Sequence, residues 1–474
     1  MNLSLSSQDW LAISPMICLV GWALGLLLIE IFAGEGVKRG LASLACIGLL
    51  VTAYFVYVSP SSDNRLLTQW LRFDSLVKVF NYLFLFIGFS VICLARGYFK
   101  QAKVSLGEFY FLLLSALFGL FLISAAVDFL TLFLGLETLS IALYICCGYL
   151  KISKLGQEAA IKYFLMGAIA TALLLFGIAL VYGATGTTKL EGLQAALSSA
   201  SQTDLYLLWT GIGFVSVGLL FKAAVAPFHM WAADVYEGSP LPVTAFMSCA
   251  TKVAAFAAIF NVFLQNGSFH DHWQSALTIC VYITLIYANL VALRQTKLKR
   301  FFAYSGISHA GFLLIPIAAG AADIIPSLLY YMVIYTLATL GAFAVLLQVK
   351  ESDESLSSKD VQGLFYRSPL LALALALCLL TLAAIPPAPG FFAKFYLFKA
   401  AASLGRYDLI VLGIATSLLS AIYYLNWVSL LLKKPHESFY EKSSLWAQVV
   451  VLLTGCAQVI ATVCPRAVLS LLNF

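Results

Sequence analysis

Long apolar runs separated by short polar connections repeat along the whole chain. A helix needs roughly 20 apolar residues to cross the hydrocarbon core of a bilayer. Runs of that length predict membrane-spanning helices near 11–33, 39–59, 75–96, 108–128, 129–150, 160–184 and 205–226. Further spans are predicted near 242–264, 274–293, 299–320, 325–349, 408–432 and 444–471. The stretch 369–404 is apolar but interrupted, and reads as two half-helices. Counted once, it brings the total to fourteen helices, and the fold class is all-α integral membrane. The N-terminal MNLSLSSQDWLAIS lacks the basic stretch of a cleavable signal peptide, so the first run is read as a mature helix.

The polar connections carry an orientation signal. Those after odd-numbered helices hold 17 Lys and Arg, and those after even-numbered helices hold 4, namely Arg65, Arg72, Lys189 and Arg406. Cytoplasmic loops accumulate Lys and Arg, so odd connections are assigned to the cytoplasm and both termini to the opposite side of the membrane. The asymmetry also supports the helix count, because one missed span would scramble it. Composition agrees: 62% of residues are hydrophobic and 11% charged, against about 25% charged in soluble domains. The net charge of +6 comes from residues flanking apolar runs, which is not a nucleic-acid signal. Most of the ten cysteines lie inside apolar segments, as Cys146, Cys147, Cys280 and Cys378 do, and no CxxC pair occurs. Neither a metal site nor a cofactor site is predicted on this chain.

Six lysines remain inside predicted spans: Lys78, Lys162, Lys222, Lys252, Lys394 and Lys399. Mid-bilayer lysine costs about 2.5–3.5 kcal/mol on insertion scales. Lys78 and Lys399 lie near span ends and can snorkel, whereas the other four sit deeper. Glu137 is central in LFLGLETLSIAL, while Glu30 and Asp128 read as interfacial. A single buried lysine can be satisfied by helix packing alone. Four lysines and a glutamate on separate helices point instead to proton handling. Desolvation disfavours a charged lysine and a nearby carboxylate favours it, so making and breaking a Glu–Lys contact loads and releases a proton. Moving one charge through 100 mV costs about 2.3 kcal/mol, within reach of such a device.

Two of these lysines sit beside helix breaks. Lys222 precedes Pro227 in GLLFKAAVAPFHMW, and Lys394 follows AAIPPAPGFFAK. Breaks in corresponding places of two halves mark inverted-repeat transporters. The predicted organisation is one membrane domain over 1–474, with helices 1–3 in 1–107. A first repeat of helices 4–8 follows in 108–264, a second of helices 9–13 in 274–432, and helix 14 in 444–474. His229 lies seven residues after Lys222, a shared face only if the helix continues past Pro227. His309 lies in AYSGISHAGFLL. Each could relay protons or be a satisfied core residue. Tyr330, Tyr331 and Tyr335 read as packing or interfacial residues rather than site residues.

The run KAAVAPFHMWAADVYEGSPLPVTAFMSCATKVAAF resembles the helix 7–8 region of the antiporter-like, proton-pumping membrane subunits of respiratory complex I. PFHMWAADVYEGSPLPV is its most specific part and resembles the N-type subunits, counterparts of mitochondrial subunit 2. KRFFAYSGISHAGFLL and PGFFAKFYLFKAA also match, and the resemblance runs from helix 1 to helix 14. It implies that Glu137 matches the helix 5 glutamate and Lys222 its helix 7 lysine partner. Lys162, Lys252 and Lys394 then match the lysines of helices 6, 8 and 12. A lysine on helix 12, where the M-type subunit typically has glutamate, favours the N-type, and no long lateral C-terminal helix of the L-type is present. The resemblance further implies partner membrane subunits, with flavin, iron–sulfur clusters and quinone in other subunits of an NADH–quinone oxidoreductase of the respiratory chain. The alternatives are a subunit of a multisubunit cation/proton antiporter without redox coupling, and a structural scaffold.

Overall fold

The computed structural model describes residues 6–38, 40–61, 65–102, 107–193, 201–263, 270–320, 324–349, 356–434, 444–465 and 468. Arg39, Lys103, Lys350 and Lys442, four of the 17 loop residues counted above, lie outside them. Thirteen described helices are long and apolar enough to cross a membrane. The first seven are α1 Ser7–Phe32, α2 Leu41–Val58, α3 Ser75–Ala102, α4 Gly107–Ala125, α5 Phe129–Cys147, α6 Lys154–Thr185 and α7a Gln202–Ala223. A short helix, α7b Met230–Gly238, precedes α8 Leu241–Phe263. Then come α9 His270–Ala292, α10 Leu298–Ala319, α11 Ile325–Val349, α13 Tyr407–Leu432 and α14 Leu445–Val463. The interrupted stretch forms α12a Pro369–Ala383 and α12b Pro389–Ala402. Counting these halves as one span recovers the predicted fourteen. The largest boundary differences are at α14, which ends at Val463 rather than 471, at α3, which runs to Ala102 rather than 96, and at α6, which starts at Lys154 rather than 160.

The chain groups into two compact units. One comprises Met1–Ile92, Val104–Ala223 and Ala250–His270. In it, α4 and α5 approach so closely that a Cβ on Gly119 would lie 2.7 Å from the Gly135 carbonyl oxygen. α6 and α7a do the same through Gly177 and Gly211, at 2.6 Å. Lipid gives helices no hydrophobic reason to associate, so small residues and close backbone packing hold such pairs. Asp128 starts α5 by accepting from the Leu130 amide at 2.7 Å, and it also bonds Thr188. An N-cap of this kind satisfies an otherwise orphaned backbone donor. It also separates α4 from α5.

The second unit comprises Cys93–Lys103, Ala224–Cys249 and Asp271–Phe474. Its most enclosed helices are α10 and α11, whose central windows are 100% and 94% buried. A helix apolar all round and covered all round must hydrogen-bond its few polar side chains internally. α10 and α11 carry His309 and Tyr331, and those side chains meet.

Candidate functional site

The break after α7a follows from Pro227, which has no N–H and whose ring would clash with the carbonyl four residues earlier. That residue is Ala223, where α7a ends. Ala224 then takes a left-handed conformation (φ 56°), the Ala226–Pro227 bond is cis, and α7b begins at Met230 with His229 as its N-cap residue. α12 repeats the plan: α12a ends at Ala383, four residues before Pro387. Ala384 has φ 61° and the Pro386–Pro387 bond is cis. A Cβ on Gly390, at the start of α12b, would overlap the Thr381 carbonyl oxygen, so the half-helices meet at a position that only glycine fills.

Lys222 occupies the last turn of α7a and is 4% exposed. Its ammonium donates to Ser140 Oγ of α5 at 2.9 Å and to Tyr163 OH of α6 at 3.0 Å. Glu137 lies three residues before Ser140, on the same face of α5. It makes no ion pair with Lys222 within 4.0 Å, and its buried Oε1 accepts no hydrogen bond among the described residues. The Glu–Lys contact of the make-and-break device is not made in this structure, and neutral hydroxyls hold the ammonium instead. Beside Lys222 lies a cavity of about 20 Å³ lined by Ser140, Tyr144, Thr171 and Gly218, room for one water.

Lys162 departs from expectation. It sits nine residues into α6 but faces outward, 42% exposed, paired with Glu158 at 2.7 Å. The reading of an enclosed charge fails for this side chain, because the face of α6 that carries it is not covered by another helix of the chain. The next residue, Tyr163, turns inward and is the one on Lys222. Lys252 is enclosed as expected, 2% exposed, and follows a π-helical turn at Met247–Thr251. Such single turns of wider helix often accompany functional sites.

In the second unit, Lys394 of α12b is 4% exposed. It donates to Ser417 Oγ at 2.8 Å and Ser420 Oγ at 3.4 Å on α13, and lies 4.1 Å from the centre of the Phe312 ring. Attraction to a ring face partly replaces lost hydration. A cavity of about 10 Å³ touches Lys394, His309, Tyr331, Tyr335 and Thr381. His309 Nδ1 lies 2.7 Å from Tyr331 OH and its Nε2 3.2 Å from Tyr424 OH, which also bonds Ser305. His309 is thus the centre of a hydroxyl chain. Tyr331 does more than pack, and Tyr335 donates to the Ser248 carbonyl at 3.0 Å. Tyr330 stacks edge-on against Tyr396 as expected of a packing residue. His229 is buried against Tyr287, with ring centres 4.7 Å apart. The face it would share with Lys222 does not exist, because α7a ends first.

Several residues here were not anticipated: Ser140, Tyr163, Ser417, Ser420, Tyr331 and Tyr424. Ser417 and Ser420 were within reach of sequence reasoning, since a spacing of three puts both on one helix face.

At the end of α7b, Glu237 accepts from Lys297 at 2.5 Å and from Arg300 at 2.9 Å, and Arg300 also reaches Asp234 at 2.7 Å. Lys299 donates to the Glu237 and Ser239 carbonyls, satisfying acceptors at the helix end. Burial works against the Glu237 carboxylate, but the bonds from Lys297 and Arg300 outweigh it and hold the group below its ordinary pKa.

A family model described as NADH:quinone oxidoreductase/Mrp antiporter, transmembrane, matches residues 126–420. The NADH-quinone oxidoreductase subunit N of Protochlamydia amoebophila is 44% identical over 100% of this chain and 99% of its own. The subunit of that name from Brevibacillus brevis is 37% identical over 90% and 88%. Among solved structures, a chain of respiratory complex I from Thermus thermophilus with bound aureothin superposes with TM-score 0.83 at 32% identity, covering 96% of this chain and 98% of its own. A chain of the Mrp complex from Dietzia superposes at 0.82 with 18% identity, covering 98% of this chain and 96% of its own, and shares the fold. The chain belongs to the NADH-quinone oxidoreductase subunit N family.

Proposed function

We propose that this chain is an antiporter-like membrane subunit of an NADH–quinone oxidoreductase and moves protons across the membrane, with Glu137, Lys222, Lys252 and Lys394 as the groups that carry them. The observation that carries the reading is Lys222: an enclosed ammonium held by neutral hydroxyls from two helices, one of them Ser140, with an unbonded carboxylate oxygen of Glu137 one helical turn from that serine. A charge so placed is costly, and the cost is met only by short-range donors and acceptors that can also exchange protons. His309, with hydroxyls on both ring nitrogens, is assigned a relay role. His229 is a weaker relay, and Lys162 a peripheral charge near Tyr163.

Redox chemistry belongs, in this reading, to flavin, iron–sulfur clusters and quinone in other subunits of a hetero-oligomer. Changes there would be felt here as changes in the protonation of the Glu137/Lys222 site. The chain lies in a bacterial inner membrane with both termini on the periplasmic side. The two broken helices, alike in proline placement and left-handed alanine, support repeats over 108–264 and 274–432. Glu137→Ala and Lys222→Ala are the test: each lowers NADH–quinone turnover in an assembled complex. Wild-type turnover in both, with normal assembly, overturns the roles.

A further inference from the structure

A groove of about 800 Å³ runs along α12a and α14 in the second unit. Its length is apolar, lined by residues such as Leu373, Leu377, Leu452 and Val459. Its polar lining residues gather at one end: Gln348 closes α11, Ser368 is the N-cap residue of α12a, and Gln448 lies in the first turn of α14. Two arginines adjoin that end. Arg367 directly precedes Ser368, and the Arg96 guanidinium stacks 4.4 Å over Trp446, two residues before Gln448. Gln348 is 1% exposed, and its Oε1 accepts no hydrogen bond among the described residues.

We infer that this groove holds one membrane phospholipid with an anionic headgroup that carries hydroxyl donors. The volume is in the range of small-ligand sites, about 300–1,000 Å³, and its long apolar shaft suits acyl chain. A basic rim between spans is the expected partner of an anionic headgroup. The orphaned Gln348 oxygen adds what the arginines lack, an acceptor for a headgroup hydroxyl. A partner helix would satisfy the shaft equally well but gives no reason for donors and an acceptor to gather at one end.

The test uses the intact purified complex in phosphatidylcholine vesicles, with a small share of phosphatidylglycerol bearing a diazirine on its acyl chain. After photolysis, adducts are expected on peptides of 369–383 and 445–463, and far fewer when the probe is the phosphatidylcholine analogue. Arg367→Gln is expected to reduce labelling about fivefold, the factor that ~1 kcal/mol per basic residue gives. Gly455→Phe fills the groove, where a Cβ at Gly455 meets nothing within 4 Å, and should abolish labelling. The wild-type comparison of the two probes stands even if a variant fails to assemble. Equal labelling by both probes, no adducts on either helix, or cross-links from these helices to a neighbouring subunit in place of lipid would each overturn the inference.

Discussion

At the first break Lys222 stands two residues before the left-handed Ala224, in the half-helix that ends there; at the second, Lys394 stands ten residues after Ala384, in the half-helix that begins. The backbone plan is shared but the surroundings are not. Lys222 has two short hydrogen bonds, to Ser140 and Tyr163, and Glu137 on the neighbouring helix face. Lys394 has one short bond, to Ser417, a longer one to Ser420, and the Phe312 ring. Among the described residues it makes no ion pair. Proline and the left-handed alanine fix where a helix stops, while the charge environment is set by whichever helices face the gap. One lysine is biased by a carboxylate and the other by dipoles and a ring face, so the two differ in how the membrane field and neighbouring charges act on them.

The largest effect separates the breaks by backbone packing. Gly390→Val pushes a side chain into the Thr381 carbonyl, and overpacking against backbone costs about 3 kcal/mol or more. Loss of the subunit from the assembled complex on a native gel is expected, while Gly183→Val, where a Cβ meets nothing within 4 Å, leaves assembly intact. Next come the hydroxyl partners. A hydrogen bond to a charged group contributes about 1.5–3 kcal/mol. Ser417→Ala removes Lys394's only short bond, so proton-coupled turnover is expected to fall about tenfold or more. Tyr163→Phe leaves Lys222 its bond to Ser140 and is expected to cost less. Equal losses would show that the two sites are not different in the way described.

The same two sites show what sequence could and could not reveal. Helix number, the α12 interruption, the Asp128 boundary and the enclosure of Lys222, Lys252 and Lys394 were all legible, because apolar length and proline chemistry are local. The outward turn of Lys162 was not, because which face of α6 is covered depends on the helices packed against it, and no local pattern reports that. The hydroxyl shells were not legible either. Tyr163 and Ser140 contact Lys222 across 59 and 82 residues of chain, and no local pattern reports such pairing. The absent Glu137–Lys222 ion pair is a further case: spacing brings the helices to mind but cannot set a distance.

Smaller effects sharpen the backbone side of the comparison. Left-handed conformation costs a non-glycine residue about 1–2 kcal/mol. Ala224→Gly and Ala384→Gly are expected to leave the melting temperature of the complex nearly unchanged, since relief of strain is offset by chain entropy. Ala224→Val and Ala384→Val should lower it. A marked difference between the two positions would separate breaks that here look alike. The smallest effect concerns Glu237, which holds α7b near α10. Its pKa is lowered in the folded chain, so its contribution to stability is present above the ordinary carboxylate pKa and is lost as pH falls through its own lower value. Glu237→Gln is expected to lower thermal stability at neutral pH and to match wild type once acid has neutralised the carboxylate. The partly exposed Lys297 makes the difference shrink with salt.

The central claim is that buried charges of this chain carry protons. It is tested most directly by proton uptake per NADH oxidised in sealed vesicles containing the intact complex, for wild type, Lys222→Met and Lys394→Met. Methionine keeps the apolar stem and removes the charge. Both variants are predicted to pump fewer protons per NADH or to stop turning over. Full turnover with a wild-type proton ratio in both, in normally assembled complex, would contradict the account.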